Sequence, residues 1–198
     1  PGIHAMELDV ADADAITAFA KKITTDFPAL NVVLNNAGIM RPEDPTEAEV
    51  ETAEATIATN LLGPIRLTTA LLPHLLGKDD ATVLTVSSGL AFVPRATFPT
   101  YCATKAAVHS WSMSLGHQLS DTSVQVIELA PPYVQTELTG AHQANDPNAM
   151  PLADYISETM KLLETQPDAR EILVGRVEPL RWAERDGKFD QVFGHLNG

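Results

Sequence analysis

At 198 residues, with 26 acidic against 13 basic side chains and a formal charge of −13, the chain repels phosphate backbones, so no nucleic-acid partner is expected. A single cysteine, Cys102, allows no internal disulfide and points to a reducing, cytoplasmic setting. No apolar run approaches the roughly 20 residues of a membrane span, and PGIHAMELDV has neither the basic start nor the apolar core of a signal peptide.

Short apolar runs alternate with helical stretches, the pattern of βα units on a parallel sheet. Ile3 to Val10 is a candidate strand. Asp12 is placed to cap a helix whose apolar positions Ile16, Phe19, Ala20, Ile23 and Phe27 recur at helical spacing, with Pro28 as its stop. Asn31 to Leu34 is a buried-strand candidate that runs into Asn35-Asn36-Ala37-Gly38. A loop rich in Pro and Glu (41–54) precedes a long helical stretch to Leu76, which Gly63-Pro64 should kink. Thr82 to Val86 is the next strand, Tyr101 to about Ser120 a helix, and Val124 to Leu129 a strand ending at Pro131-Pro132. Gln135 to Met150 is polar and suited to a mobile loop. Leu152 to Leu163 is amphipathic, and the tail from Pro167 reads as helical, broken by Pro179 and Gly187. The expectation is one α/β domain over 1–198, a parallel sheet with a helical C-terminal cap.

Tyr101 and Lys105 lie four apart on a predicted helix and share a face. Ser88 lies thirteen positions before Tyr101, at the carboxyl end of a strand, where open α/β sheets bind ligands. A phenol exchanges protons poorly at neutral pH, and a nearby ammonium favours the phenolate. Ser88 can polarise a carbonyl by donating a hydrogen bond. Together these groups make a proton-transfer site beside a carbonyl or carbinol, and hydride chemistry there requires a cofactor. A lone Tyr-x-x-x-Lys is a weak signal. The ordered set N-N-A-G (35–38), N-L-L-G (60–63), V-S-S-G (86–89), Y-C-A-T-K (101–105) and L-A-P-P-Y-V-Q-T (129–136) is a strong one.

With these motifs in order, the chain resembles the short-chain dehydrogenase/reductase family over nearly all its length. S-S-G-L-A-F-V-P and P-P-x-V-x-T-E-L resemble its DltE-type oxidoreductases. The resemblance implies a Rossmann-like, doubly wound parallel sheet and reversible oxidation of a small-molecule alcohol to a carbonyl with NAD or NADP. Asn60, Ser88, Tyr101 and Lys105 match the catalytic tetrad. Tyr101 would be the general acid/base, Lys105 its pKa tuner and ribose ligand, Ser88 the carbonyl orienter, and Asn60 the holder of a relay water. Asp9 and Val10 match the adenine side, Asn36, Ala37 and Gly38 the turn against the adenosine ribose, and Val134 and Thr136 the nicotinamide-side loop. A homodimer or homotetramer is implied through the helices carrying Asn60 and Tyr101.

Two departures stand out. Pro131-Pro132 replaces the usual Pro-Gly, which removes a backbone donor. No Gly-rich strand-turn-helix for the pyrophosphate occurs in the chain, and the first residue is not Met, so the expectation is an N-terminally incomplete fold lacking its first βαβ unit. In strand order 3-2-1-4-5-6 that leaves Ile3 to Val10 without a neighbour and Asn31 to Leu34 as an exposed edge, with weak cofactor binding by these residues alone. The second reading that stays open is a non-catalytic or inactive fragment serving as an interaction or cofactor-sensing module.

The six histidines show no metal-ligand spacing, so no metal site is expected, and no carboxylate partner for His109 or His117 is evident. Cys102 reads as a packing residue. Trp111, Met113 and Leu115 read as core or interface, and Trp182, Phe189 and Phe193 as core. The glutamates between Glu43 and Glu54 read as a solvated face.

Overall fold

The computed structural model describes residues 2–47 and 50–198. Four parallel strands form one sheet in the order β1 (Val32–Asn35), β2 (Ala81–Val86), β3 (Val124–Leu129), β4 (Glu171–Ile172). Because consecutive strands are parallel, each connection must cross over the sheet, and helices fill the crossovers. They are α2 (Glu51–Ile57), a π-helical turn (Ala58–Leu62) and α3 (Gly63–Leu75) before β2, α4 (Pro99–Gln118) before β3, and α5 (Ala141–Ala144) and α6 (Leu152–Thr165) before β4. The short α7 (Glu178–Arg181) and α8 (Phe189–Asn197) form the C-terminal cap.

Side-chain alternation along the strands assigns the two faces. Val83, Val124 and Val126 pack with Leu71, Leu75, Leu115 and Leu119 of the α3 and α4 side. Ile127, Leu129 and Ile172 pack with Leu84, Val86, Leu162 and Leu163 on the α6 side. The doubly wound α/β expectation therefore holds for the part of the sheet from β2 onward.

At β1 only one face is covered. Val33 is buried and the Asn35 amide donates to Thr68 Oγ1 at 2.9 Å, while Val32 and Leu34 are 46% and 52% exposed. The expected apolar sheet edge is real. Ile3 to Val10 forms no strand: it has no strand beside it to complete a ladder, and its backbone runs irregularly to the Asp12 cap. The cap itself is as expected, with Asp12 Oδ1 accepting from Asp14 N at 2.8 Å and Ala15 N at 3.0 Å, and α1 (Ala13–Asp26) follows. Ile16 and Ala20 are its buried positions, and Arg66 holds the approach by donating to Ala11 O at 3.1 Å.

Further readings change. Where a kink was expected at Gly63-Pro64, the helical stretch passes through a π turn just ahead of Pro64. Pro64 has no N–H to close on the Asn60 carbonyl, and the ladder here takes a five-residue step from Gly63 N–H to Ala58 O. Gln135 to Met150 is knitted rather than loose. Gln143 is buried and its amide donates to Val134 O at 2.8 Å and Thr136 Oγ1 at 3.1 Å, while its oxygen accepts from Thr139 N and Oγ1. Main-chain bonds Gln135 N to Met150 O and Met150 N to Tyr133 O, both 2.8 Å, close the segment. The tail contains a strand as well as helices, because Glu171–Ile172 pairs with Glu128–Leu129. Trp182, Phe189 and Phe193 are not among the buried core residues: Arg181 and Arg185 each lie 4.3 Å from the Trp182 ring centroid, and half-buried Phe189 stacks on exposed Phe193.

Candidate active site

Ser88, Tyr101 and Lys105 meet at the carboxyl end of β2, as their positions in the sequence predicted. Ser88 ends the strand and caps the 3₁₀ turn Gly89–Ala91, its Oγ accepting from Leu90 N at 3.1 Å. Pro99 at the first turn of α4 and the side chain of Glu43 fix where that helix starts. The Glu43 carboxylate accepts from Thr100 N at 3.0 Å and Thr100 Oγ1 at 2.6 Å, directly before Tyr101. Glu43 therefore belongs to the N-terminus of α4 and not to a solvated face; Glu49, read with it, lies outside the described residues.

Tyr101 and Lys105 are each 5% exposed. Burial pushes the Tyr101 phenol up to about 12, with the Ser88 hydrogen bond pulling the other way. Burial pulls Lys105 down to about 8. The expectation that Lys105 lowers the phenol's pKa is not met in this arrangement. The ammonium lies 5.5 Å from the Tyr101 ring centroid and donates instead to Val86 O at 2.7 Å. That bond uses one of three N–H donors and leaves two for another acceptor.

Asn60 is 1% exposed in the π turn. Its amide clamps one residue at both ends, accepting from Ile39 N at 2.8 Å and donating to Ile39 O at 2.8 Å, with a longer 3.5 Å contact to Thr104 Oγ1. Thr104 in turn donates to Tyr101 O at 2.7 Å, so Asn60 reaches α4 through Thr104. Sequence reasoning missed Glu43 and Thr104. Nothing in their local sequence marks them, since Glu43 acts 57 positions away.

The other candidate positions ring the same strand ends. Asn36 and Ala37 are exposed and Gly38 half-buried just beyond β1, and Asp9, exposed, turns back on Ala11 N at 2.9 Å. Val10 lies on Gly63 so closely that a Cβ there would come within 2.9 Å of Val10 O. Val134 is buried, and Thr136 is held by Gln143. Pro131-Pro132 keeps the loop in place through a carbonyl, Gly89 N donating to Pro131 O at 2.9 Å, so a missing N–H costs nothing at that contact.

The arrangement is a buried phenol and ammonium with a hydroxyl at one sheet edge, and the sequence profile of the short chain dehydrogenases matches residues 1–147. The chain belongs to that family. Over its whole length this short-chain dehydrogenase is 39% identical to the uncharacterized oxidoreductase DltE of Bacillus subtilis (strain 168), of which it covers 79%. Its fold matches a short chain dehydrogenase from Burkholderia cenocepacia in complex with NADP, with a TM-score of 0.81 at 20% identity over 97% of this chain and 80% of the other. It also matches an alcohol dehydrogenase from the archaeon Thermococcus sibiricus complexed with 5-hydroxy-NADP, with a TM-score of 0.74 at 26% identity over 85% and 72% of the two chains. Among the described residues no helix is long and apolar enough to cross a membrane.

Proposed function

We propose that this short-chain dehydrogenase moves hydride between NAD or NADP and a small alcohol or carbonyl compound, with Tyr101 as general acid/base. The observation that carries the reading is the convergence of Ser88, Tyr101 and Lys105, all buried, at the carboxyl end of β2. The NADP and 5-hydroxy-NADP bound to the two solved relatives support the cofactor class.

The residues present fit a nicotinamide cofactor. Lys105 has two uncommitted N–H donors that would serve ribose hydroxyls, Val134 and Thr136 would hold the nicotinamide side, and Asn36, Ala37, Gly38, Asp9 and Val10 the adenosine side. The cofactor supplies or accepts the hydride, and the chain handles the proton. At neutral pH the Tyr101 phenol, pushed up to about 12, is protonated, which is the form that delivers a proton to a carbonyl being reduced. The Ser88 oxygen takes the Leu90 N–H, and its own hydroxyl hydrogen is left to bond the Tyr101 phenol or a substrate carbonyl. Asn60 holds Ile39 through both ends of its side-chain amide and would be the residue that holds a relay water.

The test is carbonyl reduction across a panel of aldehydes and ketones at millimolar NADPH, with Tyr101→Phe beside the parent chain. Loss of turnover by about 10²–10⁴-fold is expected. Turnover equal to that of the parent chain would reject Tyr101 as the acid.

A further inference from the structure

His109 lies one turn beyond Lys105, so Tyr101, Lys105 and His109 form a single stripe down α4 at four-residue spacing. Its Nδ1 is 2.7 Å from Glu128 Oε2, a partner nineteen positions away that was not evident from the sequence. Glu128 lies on the α4 side of β3 and is 2% exposed. Its second oxygen, Oε1, is buried without a hydrogen-bond partner among the described residues. Glu171 is registered directly opposite Glu128 on β4. Arg181 of α7 donates to Glu171 Oε1 at 2.7 Å and lies over the Phe92 ring, whose edge-to-face contact with His109 closes the remaining side. The groups facing His109 are therefore Glu128 from β3, Glu171 from β4, Arg181 from the cap and the ring of Phe92.

One donor atom from each of His109, Glu128 and Glu171 lies within 4.8 Å of the others, a spacing a metal ion could bridge. Charge decides against it. Two carboxylates and one guanidinium leave one net negative charge in a poorly solvated place. A proton on His109 brings the set to neutrality. A divalent cation on neutral imidazole would leave it positive, beside an arginine already bonded to one of its ligands.

We propose that the His109 imidazolium, held by Glu128 with Glu171 nearby, is a positioning residue that fixes the register of the catalytic helix on the sheet. The proposal rests on the assignment of Tyr101 and Lys105 above. Among the described residues, three side-chain hydrogen bonds tie α4 to the strands: Lys105 Nζ to Val86 O, Thr85 Oγ1 to Ser112 Oγ, and His109 to Glu128, each 2.7 Å. Lys105 has a cofactor to serve, and the Thr85–Ser112 contact is neutral. The His109 contact alone has a fully charged pair, and it sits one turn from the chemistry. Glu128 and Glu171 raise the His109 pKa above its ordinary value of 6.5, the Glu128 hydrogen bond being the largest cause, against burial and Arg181. The stabilisation is therefore complete below pH 6.5 and is lost as pH rises through the folded-state value. Deprotonation then leaves a buried carboxylate with a weakened partner, and α4 loosens one turn from Lys105.

Two measurements test this. Imidazole NMR on the full chain follows the six histidines from about pH 5 to 9, with His109 assigned by its absence in His109→Gln or, should that variant not fold, as the resonance displaced by Glu128→Gln. The expected wild-type midpoint is above 6.5, falling by about one pH unit or more in Glu128→Gln, with equimolar Zn²⁺ leaving the resonance unchanged at pH 7. A midpoint at or below 6.5, no response to Glu128→Gln, or Zn²⁺ capture by His109 would overturn the proposal. In steady-state reduction with NADPH, Glu128→Gln should lower kcat about ten- to a hundredfold with KM within about twofold, and kcat of the parent chain should fall as His109 deprotonates. A folded Glu128→Gln variant with unchanged kcat also overturns it. Activity indifferent to Tyr101→Phe would remove the assigned reaction and with it the catalytic consequence, while the NMR titration still decides the clamp.

Discussion

Replacing Lys105 by Met should make the chain more stable at neutral pH while abolishing its chemistry. The ammonium is 5% exposed and burial pulls its pKa from 10.5 to about 8. At about 1.36 kcal/mol per pH unit, keeping it charged in the folded state costs roughly 3 kcal/mol at pH 7. Its bond to Val86 O at 2.7 Å returns about half of that. A methionine has nearly the same stem, fills the same space and carries no charge. The net expectation is a gain of about 1–2 kcal/mol, which for a chain of this length is a rise in Tm of about 3–6 °C. The sign with pH is also fixed. Below about 8 both states hold the proton and the cost is full. Between about 8 and 10.5 the folded state sheds the proton first, so the parent chain gains stability as pH rises and the advantage of Met disappears. Urea unfolding followed by Trp111 and Trp182 fluorescence, at pH 7 and at about pH 9.5, measures both points. A variant less stable than the parent at pH 7, or a difference that does not shrink by pH 9.5, would refute the argument.

Other outcomes follow from single contacts. Titrating NADPH and NADH into the purified 198-residue chain should give half-saturation well above micromolar, because no Gly-rich turn is present to receive the pyrophosphate; micromolar binding of either would contradict this. Gly63→Ala places a Cβ 2.9 Å from Val10 O, a backbone atom that cannot yield cheaply, and should cost about 1–3 kcal/mol in urea unfolding with faster amide exchange at 8–11. Gln143→Ala removes the donors to Val134 O and Thr136 Oγ1 from a buried position. It should cost about 1–3 kcal/mol and make the 136–149 segment the first cut by limited proteolysis; an unchanged digestion pattern would show that the main-chain bridge suffices.

Apolar runs of the right length made β1, β2 and β3 readable, and Asp12 and Pro28 marked α1. The family was readable because the order of its motifs along the chain is specific, not because of any pattern along α4. Tyr101, Cys102, Thr104, Lys105, Val108, Ser112 and Leu115 are all buried, so polar and apolar residues mix around α4 and blur any one-sided pattern. β4 escaped notice because two residues carry no periodicity and the strand exists only through its pairing with Glu128–Leu129. The ordered state of 135–150 escaped it because it depends on a single buried glutamine, and polar composition alone reads as loop. Ile3 to Val10 shows the converse error: an alternating apolar pattern states a capacity to pair, and a ladder needs a neighbour. The His109–Glu128 contact is long-range and could not be inferred from spacing on either element.

The two prolines after β3 have a consequence beyond the donor they lack. Each fixes its own φ in the unfolded chain as well as in the folded one, so the segment leading from the sheet to Val134 has little freedom to surrender on folding. The Gly89 N–H bond to Pro131 O then locks that segment against the turn that presents Ser88. Where Pro-Gly would leave a hinge, this chain has a strut.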